Sequence, residues 1–312
     1  MKTLNALLIA ALLCLSLPLS AQVNDTYVIP ATANQPGAFG TQWLTQFSIF
    51  NPQLDHDLNV AVVFIPTGGA RGIEKSIVVP ANGSRYSDDI LGDLFGVRGS
   101  GSLLVATFPE DNPGVPNDVL SRSFIVTSNT YNDDAGGTYG QSIPGIWTGL
   151  QDYASEGISA VAHGIRNLDR EGWRTNIGAV NLGDRSVVMY VTVYNEDGDV
   201  VLNRAPFSIP PMAHLQDRLP IQVDHAAIEF FVSDPSNTAV VFPYVSTIDQ
   251  YSGDPTYQSP TLLANAATVY GKGRVAPAQL GKKITLEDAR RIRGTATRLG
   301  EGSLRASKSR AR

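Results

Sequence analysis

Acid–base or metal chemistry in this chain would have to start from four histidines, His56, His163, His214 and His225, and from clustered carboxylates. A hydrolase triad needs a nucleophile held by a base that a third group orients. No Gly-x-Ser-x-Gly elbow is present, and no His-x-x-x-His pair could share a metal on one helix face. His163 has Asp169 nearby in sequence, but both fall in or near segments that read as loops. The histidines therefore read as structural or surface groups. Cys14 is the only cysteine and lies in the N-terminal leader, so the mature chain has no thiolate for nucleophilic or metal chemistry.

The carboxylates cluster in "SDDI" (87–90), "YNDDAGG" (131–137) and "NEDGDV" (195–200). Each offers oxygen ligands of the kind Ca²⁺ collects, and none has EF-hand spacing. Asp197–Gly198 lies between two strand-like runs and reads as a hairpin turn. Asp133 and Asp134 are the better Ca²⁺ candidates, because adjacent carboxylates repel unless a cation sits between them. Calcium is the one cofactor considered. A separated pair of carboxylates would suit glycoside hydrolysis, but nothing in the spacing sets two of them across a cleft.

Whatever such groups do, β-structure must position them. The chain runs through short apolar segments such as "NVAVVFIP" (59–66), "GSLLVATF" (101–108), "VVMYVTVYN" (187–195) and "AVVFPYVST" (239–247). β-branched and aromatic residues dominate, and Gly, Pro, Asn and Asp punctuate them at the spacing of an all-β sandwich. "SDDILGDLFG" (87–96) has room for one helical turn.

The pattern is also written twice. "GTQWLTQFSIFN" (40–51) returns as "REGWRTNIGAVN" (170–181), so Trp43, Thr45 and Asn51 recur as Trp173, Thr175 and Asn181, each 130 positions later. "VIPATA" (28–33) and "ISAVAH" (158–163) keep that offset, as do "IVVP" (77–80) and "FSIP" (207–210). A repeat this long implies duplicated domains. Alternate residues of a strand share a face. The matching residues, continuing through Phe47 and Ile49 or Ile177 and Ala179, lie on one apolar face. The other face holds Leu44, Gln46, Ser48 and Phe50 in one copy and Arg174, Asn176, Gly178 and Val180 in the other. The shared face reads as the inside of a sandwich, with each tryptophan plugging one end of the core and each asparagine closing the following turn. The alternative is that the tryptophans are surface platforms for sugar rings.

The stretch "GAFGTQWLTQFSIFNP" (37–52) resembles a tandem repeat of secreted proteins from environmental bacteria, in which Gly-Ala-x-Gly-Ser/Thr-x-Trp-x-Thr-Asp/Asn leads into a strand ending Asn-Pro. Gly37, Ala38, Gly40, Thr41, Trp43, Thr45, Asn51 and Pro52 match it. The second copy keeps Gly172, Trp173, Arg174, Thr175, Asn176 and Asn181, lacks the Gly-Ala pair and has Leu182 in place of proline. The resemblance spans most of 27–260 and implies a tandem, extracytoplasmic β-sandwich without an established activity or catalytic residues.

The N-terminus reads as a secretory signal over 1–21: Lys2, an apolar run Leu4–Leu17, and a small-residue exit at Pro18–Ala21. The run is short for the roughly 30 Å of a bilayer core, and no later stretch is long and apolar enough to span one. Leu13 before Cys14 is too large for a lipoprotein signal. Charge is divided unevenly. Residues 22–271 carry 11 Lys/Arg against 26 Asp/Glu, whereas the chain from Lys272 onward carries 12 against 3. The basic tail can fold back on the acidic body electrostatically, or be drawn to anionic polymers. Thr285 reads as the N-cap of a short helix near 286–293, with Asp288 at the reciprocal capping position and Gly294 as its end.

The expectation is an all-β protein of two tandem antiparallel β-sandwich domains, 22–145 and 155–262, joined by a linker (146–154). A basic tail (263–312) follows, with its short helix and then no fixed structure. The expected function is an exported, non-enzymatic binding, adhesion or envelope-structural protein, found in the medium, the periplasm or at the cell surface. Polysaccharide or envelope and matrix polymers are the expected partners; nucleic acid and a transmembrane segment after signal removal are not. A carbohydrate-active protein, as sugar-binding module or hydrolase accessory, is the alternative.

Overall fold

The computed structural model describes residues 25–37, 40–134, 137–147, 159–169, 172–234, 239–263 and 285–305. The stretch read as a leader lies outside these residues, as do 264–284 and 306–312. The fold is all-β and built of antiparallel sheets. Its first half contains β1 (Thr26–Pro36), β2 (Gln42–Phe50), β3 (Leu58–Pro66), β4 (Ile73–Val79) and β5 (Ser84–Ser87). It continues with β6 (Gly99–Thr107), β7 (Ile125–Asp134), β8 (Gly137–Pro144) and β9 (Ile146–Trp147). The second half contains β10 (Ser159–Asn167), β11 (Trp173–Asn181), β12 (Val187–Tyr194), β13 (Val200–Ile209) and β14 (Ala213–Arg218). It ends with β15 (Val223–Ser233), β16 (Val241–Asp249), β17 (Pro255–Gln258) and β18 (Thr261–Leu263).

The two halves are wired identically. In the second, one layer runs β13-β12-β15-β10-β18 and the other β14-β11-β16-β17. The first repeats these neighbours as β4-β3-β6-β1-β9 and β5-β2-β7-β8, each strand standing for the one nine places later. β1 adds one link. Its register shifts between Ile29 and Thr32, and its end pairs with β2 (Asn34 opposite Leu44), so the first half's two layers join at that corner. β9 falls in the stretch read as linker and instead extends the first half, pairing with β1. Residues 151–158 lie outside the described set.

Burial explains the patterning. β2 alternates, and Thr45, Phe47 and Ile49, like Thr175, Ile177 and Ala179 of β11, face their own cores; from Ile177 on, β11 is buried on both faces. β3 is a continuous apolar run because both its faces are covered. Val60, Val62 and Phe64 enter the first core, while Ala61, Val63 and Ile65 enter a third apolar cluster. That cluster also takes in Val180, Leu182 and Phe242 of the second half, so the two sandwiches share an apolar seam.

The C-terminal segment has the expected short helix, and ordered structure continues past its expected end to residue 305. The helix α1 (Leu286–Thr295) carries its capping box at Thr285 and Asp288 and runs past Gly294. Ala289, Ile292 and Ala296 are buried in the seam. β19 (Thr297–Glu301) then pairs in parallel with β4, and Leu304 enters the first core. The physical reason is that the tail's charges find partners on the body. Arg290 bonds Glu110, Arg293 bonds Glu74 and Asp111, and the Arg291 guanidinium donates to Leu182 O. Together these make a strap across both sandwiches. Among the described residues no helix is long and apolar enough to cross a membrane.

Candidate functional site: a cleft between the sandwiches

The repeated positions build the scaffold. Thr45 Oγ1 is 2.8 Å from Thr130 Oγ1 on the neighbouring strand, and Thr175 Oγ1 is 2.9 Å from Thr247 Oγ1 at the matching place. Asn51 and Asn181 are both fully buried. Asn51 Nδ2 donates to His56 O and Val79 O, and its Oδ1 accepts from Gln53 N. Asn181 repeats this with Arg185 O, Ile209 O and Gly183 N. Each asparagine ties the end of its strand to the turn beyond and to the edge of the facing layer. A buried backbone group left unpaired there would cost about 1–3 kcal/mol.

The tryptophans are not core plugs. Trp43 and Trp173 share the inward parity of their strands but stand at the strand starts, where the facing layer runs out, and both are only half-buried. The Arg166 guanidinium lies 4.8 Å from the Trp173 ring centroid. Gly37 instead passes close to Trp43, and its N donates to Thr41 O at 2.7 Å. A Cβ on Gly37 would sit 2.3 Å from the indole Nε1, so only glycine lets the backbone pass this close.

Trp43 faces a cleft of about 280 Å³ between the two sandwiches. Gln35 and Gln141 of the first sandwich line it with Trp43, and Arg174, Asn176, Gln216 and Tyr244 line it from the second. Ser246 Oγ donates to Gln141 Oε1 across it at 3.1 Å. Arg174, Asn176 and Gly178 belong to the β11 face that differs between the copies, and that is the face turned toward the first sandwich. Gly178 leaves room for Tyr244, whose ring carbon would lie 2.1 Å from any Cβ there. Among the described residues no aspartate or glutamate lines the cleft.

From Tyr244 a chain of hydrogen bonds runs through buried His214 to exposed Thr67. Thr67 Oγ1 lies 2.7 Å from His214 Nδ1, His214 Nε2 lies 2.7 Å from the Tyr244 hydroxyl, and that hydroxyl donates to Gln216 Oε1 at 2.8 Å. Each ring nitrogen of neutral His214 thus meets a hydroxyl, and Thr67 Oγ1 itself donates to Ser100 O at 2.9 Å. Burial pulls the His214 pKa down to about 3 and holds Tyr244 well above the usual tyrosine value. Both groups are neutral at ordinary pH. Burial also lowers Arg174 from the usual arginine range.

The other candidate residues lie elsewhere. Asp133 and Asp134 end β7 opposite Thr138 and Gly137, and their side chains fall outside the described residues. Asp197–Gly198 is a turn, with Asn195 Oδ1 accepting from Asp197 N and Asp199 N. Asp89 Oδ1 caps the helical turn Leu91–Phe95 by accepting from Gly92 N. His163 and His225 are exposed, His56 bridges Asp55 and Ser121 O, and Asp169 is held by Arg218. Among the described residues no three His, Asp or Glu side chains gather to hold a metal.

No family model matches the chain, and no curated protein matches it. Among solved structures, it is similar to a protein of Parabacteroides distasonis ATCC 8503 described as secreted. The identity there is 9%, with 76% of this chain and 87% of that one covered, and the TM-score is 0.20. It is also similar to part of Bacteroides uniformis β-glucuronidase 2, at 8% identity over 70% of this chain and 25% of that one, TM-score 0.13. At these TM-scores neither likeness bears on function.

Proposed function

We propose that the protein is an exported, non-enzymatic binding protein of the tandem β-sandwich kind, and that its ligand is a saccharide held in the cleft between the sandwiches. The observation that carries this reading is the lining: one half-buried tryptophan beside the amides of Gln35, Gln141, Asn176 and Gln216. An indole offers an apolar plane to the C–H face of a sugar ring. Amide side chains, each with a donor and an acceptor, match its hydroxyls. The leader at 1–21 supports export.

Holding rather than turnover is favoured by the state of the groups that could move a proton. A general acid or base works best with a pKa near the operating pH. His214 and Tyr244 are displaced from that range in opposite directions, and among the described residues no carboxylate lines the cleft.

The test is binding of the mature chain to a panel of oligosaccharides by calorimetry, with Trp43→Ala and Trp173→Ala side by side. Trp43→Ala should weaken binding by about tenfold or more, the loss of one stacking partner, and Trp173→Ala should leave it unchanged. Equal effects from both variants, or none from Trp43→Ala, would contradict the reading. Product formation from any bound sugar would contradict its non-enzymatic part.

A further inference from the structure

We infer that the cleft selects saccharides that carry a carboxylate, with Arg174 as the group that recognises it. This rests on the cleft being a saccharide site and adds the class of sugar.

Arg174 is set apart from the other buried or partly buried arginines. Arg122 reaches Asp25, Arg166 reaches Asp224, Arg291 reaches Asp288, Arg293 reaches both Glu74 and Asp111, and Arg85 donates to Ser84 O. Arg174 is half-buried and lines the cleft, yet its guanidinium makes no hydrogen bond or ion pair to any described residue. Its Nε is buried without a partner. A buried donor left unsatisfied is costly, and a buried cation without a counter-charge more so. Every other side chain lining the cleft among the described residues is neutral, so none of them supplies the counter-charge.

Position fits this role. Arg174 stands two residues before Asn176 on β11, so both side chains leave the same face of the strand. Trp43 and Gln141 line the cleft from the other sandwich. A pyranose stacked on Trp43 would have its hydroxyls among the amides and its carboxylate near the guanidinium. The planar guanidinium fork suits a carboxylate, which takes two parallel N–H bonds, better than it suits a single hydroxyl.

The test uses short oligogalacturonates, the same oligomers as methyl esters, and a peptide with a free C-terminal carboxylate, each titrated into the mature chain by calorimetry. The wild-type protein should bind the acid at least tenfold more tightly than the ester. Arg174→Gln should abolish that preference while still binding the ester, and Arg174→Lys should keep only part of it. Arg174→Met should melt at the wild-type temperature or higher, since it removes a buried charge without a partner. Equal binding of acid and ester by the wild type would overturn the inference and leave the saccharide site standing, as would a preference that survives Arg174→Gln. Absence of all saccharide binding, or binding of the peptide alone, would overturn both. A marked fall in the melting temperature of Arg174→Met would show a structural arginine and overturn the inference as well.

Discussion

Replacing Arg293 with methionine should cost about 3–5 kcal/mol of stability, the range for removing one partner of a buried ion pair, and should loosen the C-terminal strap. Arg293 Nε lies 2.8 Å from Glu74 Oε1, its Nη1 also contacts Asp111, and the guanidinium rests 4.6 Å from the Phe108 ring centroid. Both Arg293 and Glu74 are buried. Without the arginine, Glu74 would be a buried carboxylate facing only the more exposed Arg298. The same helix buries Ala289, Ile292 and Ala296 in the seam that the two sandwiches share, so a loosened helix exposes that seam. Urea unfolding measures the loss, and limited proteolysis shows whether cleavage moves into 286–305. The double variant Arg293→Met with Glu74→Gln should regain part of the stability, because the uncompensated charge is gone. A loss under about 1 kcal/mol, typical of an exposed pair, would mean that the pair does not hold the strap.

His214→Gln should flatten the dependence of stability on pH. The folded-state pKa is about 3 against 6.5 for the free side chain. Between these values the unfolded chain binds a proton that the folded chain does not, so stability is full above about pH 6.5 and falls as the pH drops toward 3. One such group contributes a slope of about 1.4 kcal/mol per pH unit within the window. Arg290 holds the Glu110 pKa down to about 2, and Glu110 adds a loss of the same sign at lower pH, reduced by its exposure. The difference between wild type and variant isolates the histidine. Urea unfolding at a series of pH values from about 7 to about 5 should give curves that converge as the pH falls, since glutamine takes no proton. Parallel curves would show that His214 is protonated in the folded protein, or that the seam opens before it titrates.

How far the sequence could be read depends on how local each signal was. The asparagines were legible because a buried amide closing a turn is specified within a few residues, and the same spacing occurs at Asn51 and Asn181. Parity told which side of β2 and β11 faces inward, and Thr45, Phe47, Thr175 and Ile177 lie there. It could not tell how far the facing layer extends, which is why Trp43 and Trp173 read as core and stand half-buried at its rim. The cleft was harder to see. Arg174 and Asn176 read as parts of the repeat pattern, and with Gly178 they mark a face where the two copies disagree; that disagreement was the available signal. Turning it into a site requires knowing that β11 faces the other sandwich, a packing fact that no local pattern encodes. The strap's helix, caps and attraction to the acidic body were legible, but the order beyond Gly294 was not. Its arginines look solvated in sequence, because Glu74, Glu110 and Asp111 are brought to them only by the fold.

The central claim is that ligand binds between the sandwiches at Trp43, and the indole N–H resonances of Trp43, Trp147 and Trp173 test it most directly. They can be assigned by single substitution and followed while a short oligogalacturonate is titrated into the nitrogen-labelled mature chain. The account predicts that the Trp43 resonance shifts and saturates with the binding isotherm while that of Trp173, beneath the Arg166 guanidinium, stays in place. A shift at Trp173 with Trp43 unmoved, or three unmoved resonances at saturating ligand, would contradict it.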